Sequence, residues 1–148
     1  CHVDNVKVIG IEMDERNVSF AIEHYNHPNL QFIHGDALKD LPNEEFDVVT
    51  LSNVLEHIEH RVIFLNEVIK KISPKRFIIR VPMYERDWRV SLKKELGIDY
   101  RLDATHYIEY TYEGFAEELR QAGLGLTYAE FRWGEIWCVA EPLIEVKS

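Results

Sequence analysis

Cysteine is scarce in this sequence. Cys1 and Cys138 are the two cysteines among 148 residues, and two are too few for a disulfide framework. Cys138 lies in the apolar run IWCVAE and is expected to be a small core residue. The sequence also lacks an apolar run of membrane-spanning length and a signal-peptide pattern. We therefore expect a reducing, cytoplasmic setting and no membrane partner.

Positive charge is also in short supply. Lysine and arginine number 17 against 26 aspartates and glutamates, which gives a formal net charge of −9. Binding to nucleic acid depends on a basic face, so a nucleic-acid partner is not expected. The length suits one domain with one core, and we expect residues 1–148 to form a single domain. No pattern in the sequence indicates an oligomeric state.

A glycine-rich loop is missing before the first strand-like segment. Residues 6–11, VKVIGI, form a β-branched apolar run that is typical of a strand, and Glu12 follows directly. In dinucleotide-binding folds an acid at this place accepts hydrogen bonds from ribose, and a glycine-rich loop meets the phosphates. Glu12 would otherwise stabilise a helix N-terminus, but Asp14 and Glu15 already serve that purpose. The pattern therefore favours a ribose-binding acid without its usual loop.

Strand and helix patterns alternate along the chain. Strand-like apolar runs occupy residues 6–11, 30–33, 46–51 and 76–81. Helical spacing follows Asp14, extends from Leu55 to Ile72 up to the stop at Ser73-Pro74, and returns between Thr111 and Gly123. Two further strand-like runs flank Gly134 and predict a closing hairpin. The alternation predicts an α/β fold with a doubly wound, mostly parallel sheet and a C-terminal antiparallel hairpin.

Polar clusters follow the strands, at the edge where such sheets bind ligands. Asp36, in FIHGDAL, can accept a hydrogen bond from an exocyclic amine such as that of adenine, and Gly35 lets the backbone approach a ring closely. An ordinary turn aspartate has the same local sequence. The two interpretations stay open for Asp36 alone, and the nearby Glu12 favours a ligand.

The segment TLSNVLEHIEHR, residues 50–61, contains two histidines and two glutamates. His57 and His60 are three positions apart, and the His-Glu-x-x-His order of zinc proteases is absent. The sequence therefore predicts no metal site. Glu59 and His60 are expected to start a helix and to face water.

Three motifs in this order, VIGIEMDERNVSFAIEH, FIHGDALKDLP and FDVVTLSNVLEHI, resemble successive motifs of the class I S-adenosylmethionine-dependent methyltransferases. A later segment, DATHYIEYTYEGFAEELRQAGL, resembles the region before and through the last helix of the small-molecule branch of that superfamily. The resemblance covers residues 6–141. It implies a Rossmann-like methyltransferase fold, S-adenosylmethionine as the cofactor, and transfer of a methyl group to a small-molecule or biosynthetic-intermediate acceptor.

The resemblance also implies roles for single residues. Glu12 matches the acid that binds the ribose, and Met13 matches the apolar neighbour that lies against adenine. Asp36 matches the acid that meets the adenine amino group, with Ala37 packed on the ring.

Further residues match the part of the family site that meets the methionine half of the cofactor. Ser52 and Asn53 match the segment that passes the methionine part and the methyl group. His57 falls near the cofactor entrance. The family's first motif, a strand with a glycine-rich loop and the helix after it, has no counterpart in this sequence. We expect that roughly 40 or more residues carrying it are missing at the N-terminus.

Residues 84–107 interrupt the alternation and are expected to form a substrate lid. Their tyrosines and tryptophan form a predicted apolar wall of Tyr84, Trp88, Tyr100 and Tyr107. Their basic side chains form a local group that would steer an anionic part of the substrate, namely Arg86, Arg89, Lys93, Lys94 and Arg101. A solvated amphipathic helix is the alternative for this segment.

His106 is the expected general base, because Asp103 is close in sequence and histidine titrates near neutrality. A structural histidine that binds a loop carbonyl is the alternative. A base is needed only where the acceptor must lose a proton.

Two other functions fit part of the pattern. A catalytically inactive methyltransferase fold would serve as a binding or scaffold subunit. An NAD(P)-dependent oxidoreductase shares the ribose acid but leaves HGDAL, NVLEHI and the hairpin unexplained.

Overall fold

The structure, a computed structural model, describes residues 6–143, so Cys1 lies outside the described part. The chain divides into two compact units, Cys1–Asn43 and Glu44–Ser148. No helix in the described range is long and apolar enough to cross a membrane.

The first unit is a strand–helix–strand element. It consists of β1 (Val8–Glu12), α1 (Glu15–His24) and β2 (Leu30–His34). Helix α1 begins after Asp14, whose side chain accepts a hydrogen bond from the Arg16 N–H. The two strands pair in parallel, with Glu12 beside His34 at the end of the register. Their carboxyl ends therefore lie at one edge of this small sheet.

The second unit carries a four-stranded sheet with the order β3-β4-β6-β5. Strands β3 and β4 are parallel, whereas β6 pairs antiparallel with both β4 and β5. Trp133 and Gly134 connect β5 to β6 with positive φ angles of 54° and 76°, as in tight hairpin turns. The elements are β3 (Val48–Ser52), α2 (Arg61–Ile72), β4 (Arg76–Pro82), α3 (Trp88–Glu95), α4 (Tyr112–Gln121), β5 (Leu124–Arg132) and β6 (Glu135–Pro142).

The α/β class and the C-terminal antiparallel hairpin agree with the prediction. The core of the second unit is built on alternate residues of β4, since Phe77, Ile79 and Val81 are buried while Ile78 between them is exposed. Buried side chains of α2 and α4 complete it, namely Phe64, Leu65, Val68, Ile72, Phe115 and Leu119.

The predicted helix from Leu55 to Ile72 is wrong in its first part. Residues Leu55–His57 form a short 3₁₀ turn, Ile58 has an extended backbone, and α2 begins only at Arg61. Leu55 and Ile58 are buried, so their apolar side chains fill the core from a turn. The spacing of these apolar residues is typical of a helix, but tertiary packing has overridden the local helical preference.

Candidate functional site

The edge of the first unit carries Glu12 and Asp36, as the sequence predicts. The Gly35 N–H donates to the Glu12 carbonyl oxygen at 2.9 Å, which joins the ends of β1 and β2. The half-buried Glu12 side chain is held in place because its Oε1 accepts from the Asp14 N–H at 2.8 Å. A carboxylate has about four lone-pair sites, so this bond leaves acceptor capacity for the two hydroxyls of a ribose.

Met13 and Ala37 lie at the same edge. The Met13 side chain is 68% exposed, and its carbonyl oxygen lies 2.9 Å from His34 Nε2, which donates to it. Ala37 is half-buried in the turn after β2. An exposed thioether and a small methyl group are side chains against which a flat ring can pack.

Asp36 has local partners that the sequence left open. Its Oδ1 accepts from the Leu38 N–H at 2.9 Å, and its Oδ2 lies 2.9 Å from Lys39 Nζ. The hydrogen bond from Lys39 lowers the pKa of the Asp36 carboxyl, so it is ionised at neutral pH. Asp36 therefore holds a turn and presents an anion at the strand end.

The carboxyl edge of β3 is shaped by Asn53. This residue has a left-handed backbone with φ of 53°, which asparagine tolerates better than most residues. Its N–H donates to the Arg80 carbonyl at 2.9 Å, and its Oδ1 accepts from Arg80 Nε at 2.6 Å. Arg80 also lies 3.3 Å from Glu135 Oε1 and stacks over Trp137. The Asn53 amide is thus fixed, and the neighbouring Ser52 is exposed.

A cluster of ionisable groups follows Asn53. Glu56 is fully buried, and within residues 6–143 its two carboxylate oxygens have no hydrogen-bond partner. The rings of His57 and His106 meet edge to face with centroids 4.6 Å apart. One carboxylate oxygen of Glu56 and one nitrogen of each ring all lie within 4.8 Å of one another. Burial raises the pKa of Glu56, and this outweighs the lowering effect of the nearby His106.

Glu109, two residues beyond the 84–107 segment, is a buried acid that holds this segment. Its Oε1 accepts from His106 Nδ1 at 3.0 Å and from the Leu102 N–H at 2.5 Å. Its Oε2 pairs with Arg86, whose Nη2 donates to the Tyr100 carbonyl at 3.0 Å. The partner of His106 is therefore Glu109, where the sequence suggested Asp103. A buried acceptor binds these groups more strongly than a solvated one.

Asp103 has a different task. Its Oδ1 accepts from the N–H and from the hydroxyl of Thr105, each at 2.7 Å. The same hydroxyl lies 2.9 Å from His57 Nδ1.

The arginines of the 84–107 segment are all paired with acids. Arg86 pairs with Glu109, Arg89 with Asp87, and Arg101 with Asp99. Lys94 lies over the rings of Tyr84 and Tyr100, at 5.0 and 5.5 Å from their centroids. The structure thus gives these cations local partners, and their predicted role in steering an anionic substrate stays a prediction.

The predicted aromatic wall divides into two parts. Tyr84 and Tyr100 are half-buried and meet edge to face, with centroids 5.8 Å apart. Trp88 and Tyr107 are exposed, at 73% and 60%. Only the second pair presents its rings to solvent.

Glu56, Thr105 and Glu109 are the functional candidates that sequence reasoning missed. A signal was available for two of them, since Glu56 directly precedes His57 and Glu109 follows His106 by three positions. The missing information was burial, because each glutamate has an exposed neighbour of the same type in the sequence.

Comparison with known proteins agrees with the resemblance. Residues 2–79 match the family model of the methyltransferase domain. No curated protein matches the chain. The residues at the carboxyl edge of the first unit also fit S-adenosylmethionine, because they offer a carboxylate for its ribose and side chains that can pack on its adenine.

Several solved structures share the fold. A chain of the complex that holds the Haloferax volcanii Trm112 methyltransferase activator has a TM-score of 0.73 and 16% identity, and the match covers 96% of this chain and 74% of that one. Magnesium protoporphyrin IX methyltransferase from Synechocystis PCC 6803, with bound SAH, has a TM-score of 0.66, 16% identity and coverages of 92% and 64%. The small RNA methyltransferase HEN1 has a TM-score of 0.70, 17% identity and coverages of 96% and 21%.

The family match covers more than half of the chain, and the shared fold is that of methyltransferases. The chain therefore belongs to the methyltransferase domain family, as a class I methyltransferase that uses S-adenosylmethionine.

Proposed function

We propose that this methyltransferase acts on a small, largely apolar acceptor that binds against the 84–107 segment. The observation that carries the proposal is an exposed apolar stripe along α3 and its C-cap residue, Leu96. Trp88, Leu92 and Leu96 are spaced by four positions and are 73%, 41% and 64% exposed. Side chains at this spacing lie on one face of a helix, and an exposed apolar face on a soluble element marks a binding surface.

The charges of the same segment argue against a nucleic-acid acceptor. A polynucleotide is held by cations that neutralise its phosphates. Each arginine between residues 84 and 107 is already paired with an acid, and the net charge of the chain is −9. An apolar acceptor needs no such cations.

In the first unit we assign Glu12 to the ribose and Met13 and Ala37 to the faces of adenine. Asp36 is assigned to the adenine amino group, because its carboxylate is ionised at the neighbouring strand end. These assignments rest on the family resemblance and agree with the exposure and hydrogen bonds of the four residues.

In the second unit we assign Ser52 and Asn53 to the methionine part and His57 to the cofactor entrance. S-adenosylmethionine supplies an activated methyl group, so the protein has mainly to align donor and acceptor and to exclude water. The left-handed Asn53 and its bonds to Arg80 hold this part of the backbone in one geometry.

We also propose that residues 84–107 form the acceptor side of the site as a fixed wall. Glu109 ties the segment down through Arg86, Leu102 and His106. The exposed Trp88 and Tyr107 remain available for contact with the acceptor.

Cofactor binding tests the first half of the proposal. S-adenosylhomocysteine is titrated calorimetrically into the wild type, Glu12→Ala and Glu15→Ala. Glu15 is an exposed acid in the first turn of α1 and serves as the matched control. We expect micromolar binding that weakens at least tenfold in Glu12→Ala and is unchanged in Glu15→Ala. Equal binding by the wild type and Glu12→Ala would contradict the assignment.

Methyl transfer tests the acceptor class. Radiolabelled S-adenosylmethionine is supplied with a panel of apolar small molecules, short RNAs and peptides. We expect transfer to small molecules, with a several-fold higher KM for the acceptor in Trp88→Ala. Trp133→Ala is the control, because Trp133 is 80% exposed at the hairpin tip. Transfer to RNA alone would refute the proposed acceptor.

A further inference from the structure

We propose that Glu56, His57 and His106 bind a divalent first-row metal ion through one carboxylate oxygen and two imidazole nitrogens. Spacing in the sequence predicts no metal site here, because His57 and His60 do not form a zinc-protease pair. The fold instead brings His106 to His57, and the three candidate ligand atoms lie within 4.8 Å of one another.

The hydrogen bonds of His106 leave one ring nitrogen ready to bind a metal. Its Nδ1 lies 3.0 Å from Glu109 Oε1. That oxygen also accepts from the Leu102 N–H, and Arg86 pairs with the same carboxylate, so Glu109 acts as an acceptor towards His106. The His106 Nδ1 must therefore carry the proton. In the neutral ring the lone pair is on Nε2.

The hydrogen bonds of His57 also place the ring proton on Nδ1 and leave Nε2 unprotonated. The Thr105 hydroxyl has one proton, which it donates to Asp103 Oδ1 at 2.7 Å. The hydroxyl can only accept from His57 Nδ1, which lies 2.9 Å away. The proton of the neutral His57 ring is thus on Nδ1, and its Nε2 also presents a lone pair.

This arrangement is the one that metal-binding histidines use. Such a histidine donates its second ring N–H to a carboxylate, carbonyl or other oxygen, which fixes the ring and its tautomer. Here Glu109 orients His106 and Thr105 orients His57. Thr105 belongs to the 84–107 segment, and Glu109 holds that segment in place.

Glu56 supplies an independent reason for a cation. Its side chain is fully buried, and both oxygens lack a hydrogen-bond partner among the described residues. A buried carboxylate without partners is costly unless a proton or a cation neutralises it. One nitrogen of each of the two histidine rings lies within 4.8 Å of a Glu56 oxygen, and a metal ion between them would satisfy all three groups.

The ligand set indicates the class of metal. Imidazole nitrogens with a carboxylate suit zinc, iron, nickel or copper better than magnesium or calcium. Three protein ligands are the number found in zinc sites that keep a position open. A tetrahedral site with bonds of about 2.1 Å holds its ligands about 3.4 Å apart, so atoms that lie 4.8 Å apart must approach by about 1.4 Å. His57 is exposed and gives the ion an entry path.

The link between the metal and methyl transfer rests on the proposed function. Glu56 and His57 follow Asn53 by three and four positions, in the segment assigned to the methyl group. The open coordination position then faces water or an oxygen atom of the acceptor. In this proposal His106 is a metal ligand instead of the general base that its sequence context suggested.

Metal binding is measured on the metal-stripped protein, prepared without a histidine tag. Zn²⁺ is titrated in competition with a chromophoric chelator, and Co²⁺ is added to give a visible absorption spectrum. We expect one ion per chain and a Co²⁺ spectrum of low coordination number. Glu56→Gln and His57→Ala should each weaken Zn²⁺ binding at least tenfold.

Matched controls come from the same stretch of sequence. Glu59→Gln and His60→Ala change an exposed glutamate and an exposed histidine, and both should bind Zn²⁺ like the wild type. Circular dichroism checks the fold, and the exposed His57 gives a variant that keeps the core intact. Absence of stoichiometric binding, or binding that Glu56→Gln and His57→Ala leave unchanged, would overturn the proposal.

S-adenosylhomocysteine binding by the metal-free protein separates the two proposals. If the protein binds the cofactor but no metal ion, only the proposed metal site is refuted. If it binds a metal ion but no cofactor, the metal site is supported and the proposed function is refuted.

Discussion

At the scale of single residues, burial decides what a side chain can do. Glu56 and Glu59 lie three positions apart in one segment, yet Glu56 is fully buried without a partner and Glu59 is exposed. Burial also determines the role of His106, whose ring is buried beside its partner Glu109. The local sequence shows which chemical groups are present. Their burial depends on how distant segments pack, and for that reason Glu56 and Glu109 could not be chosen in advance.

Cys138 leads to a prediction about reactivity and pH. Burial raises the pKa of its thiol from 9.0 to about 12, against the lowering effect of a backbone hydrogen bond with Ile79. In a Cys1→Ser background the native protein should not react with a thiol reagent at pH 8, and should react once unfolded. Rapid reaction of the native protein would show that Cys138 is accessible.

The raised pKa of Cys138 also predicts how the stability of the protein changes with pH. Between pH 9 and 12 the folded thiol keeps a proton that the unfolded thiol has lost, so the thiol's contribution to stability falls as the pH rises. Thermal unfolding over this range should show a shallower alkaline decline in Cys138→Ala than in the Cys1→Ser parent. Parallel curves would contradict the shift.

Glu109 leads to a prediction about stability. The Arg86 side chain is only 14% exposed, and Glu109→Ala removes its ion-pair partner. The same substitution removes the hydrogen-bond acceptor of His106 and of the Leu102 N–H. Loss of one member of a buried pair costs about 3–5 kcal/mol of unfolding free energy. Urea unfolding measures the loss. Glu117→Ala removes the exposed pair with Arg120 and should change the midpoint very little.

At the scale of secondary-structure elements, the sequence predicts correctly those features that depend only on neighbouring residues, such as helix caps. Asp14 and Thr111 cap α1 and α4 as their sequences predict, because a cap needs only the next few N–H groups. The false helix at Leu55 shows the limit. Helical spacing of apolar residues also arises in a turn that is packed against a core, and only the contacts of Leu55 and Ile58 distinguish the two.

Substitution of two glycines tests the contact between the β5–β6 hairpin and the 84–107 segment. Gly134 and Gly97 both have positive φ, of 76° and 68°. A Cβ on Gly134 would lie 2.6 Å from Arg86 Cβ, whereas one on Gly97 would meet nothing within 4 Å. Gly97→Ala should cost only the backbone strain of about 1–2 kcal/mol. Gly134→Ala should cost about 1–3 kcal/mol more, because it overpacks the contact with Arg86.

Urea unfolding of the two glycine variants separates strain from crowding. The Gly134→Ala variant should also show a higher KM for the acceptor, since Arg86 anchors the proposed wall. Equal losses of stability in the two variants would show that the close approach of Gly134 to Arg86 is unimportant.

At the scale of the whole molecule, the fold class followed from the alternation of strands and helices, and the parallel pairs β1–β2 and β3–β4 followed from the crossover helices. The sequence predicted one open sheet. Among residues 6–143, β1 pairs only with β2, and β3 pairs on one side only, with β4. Pairing of distant strands is a global property, and alternation alone does not specify it.

An open strand edge leads to a prediction about association. Within residues 6–143 one edge of β3 has no strand partner, and backbone groups at such an edge can pair with another chain. Sedimentation of the 148-residue chain should therefore show association that grows with concentration and that is reduced in Thr50→Lys. Ser91→Lys adds the same charge on the exposed surface of α3 and should leave association unchanged. A chain that stays monomeric at all concentrations would refute the prediction.

The buried carboxylate of Glu109 also determines how the 84–107 segment exchanges its amide protons. Lifting the segment would break the interactions of Arg86, the Leu102 N–H and His106 together, because all three depend on one carboxylate. The Leu102 amide should therefore exchange with deuterium only in rare, concerted openings. Under the proposed function, turnover faster than these openings would mean that the acceptor binds against the closed wall, whose shape then selects among acceptors.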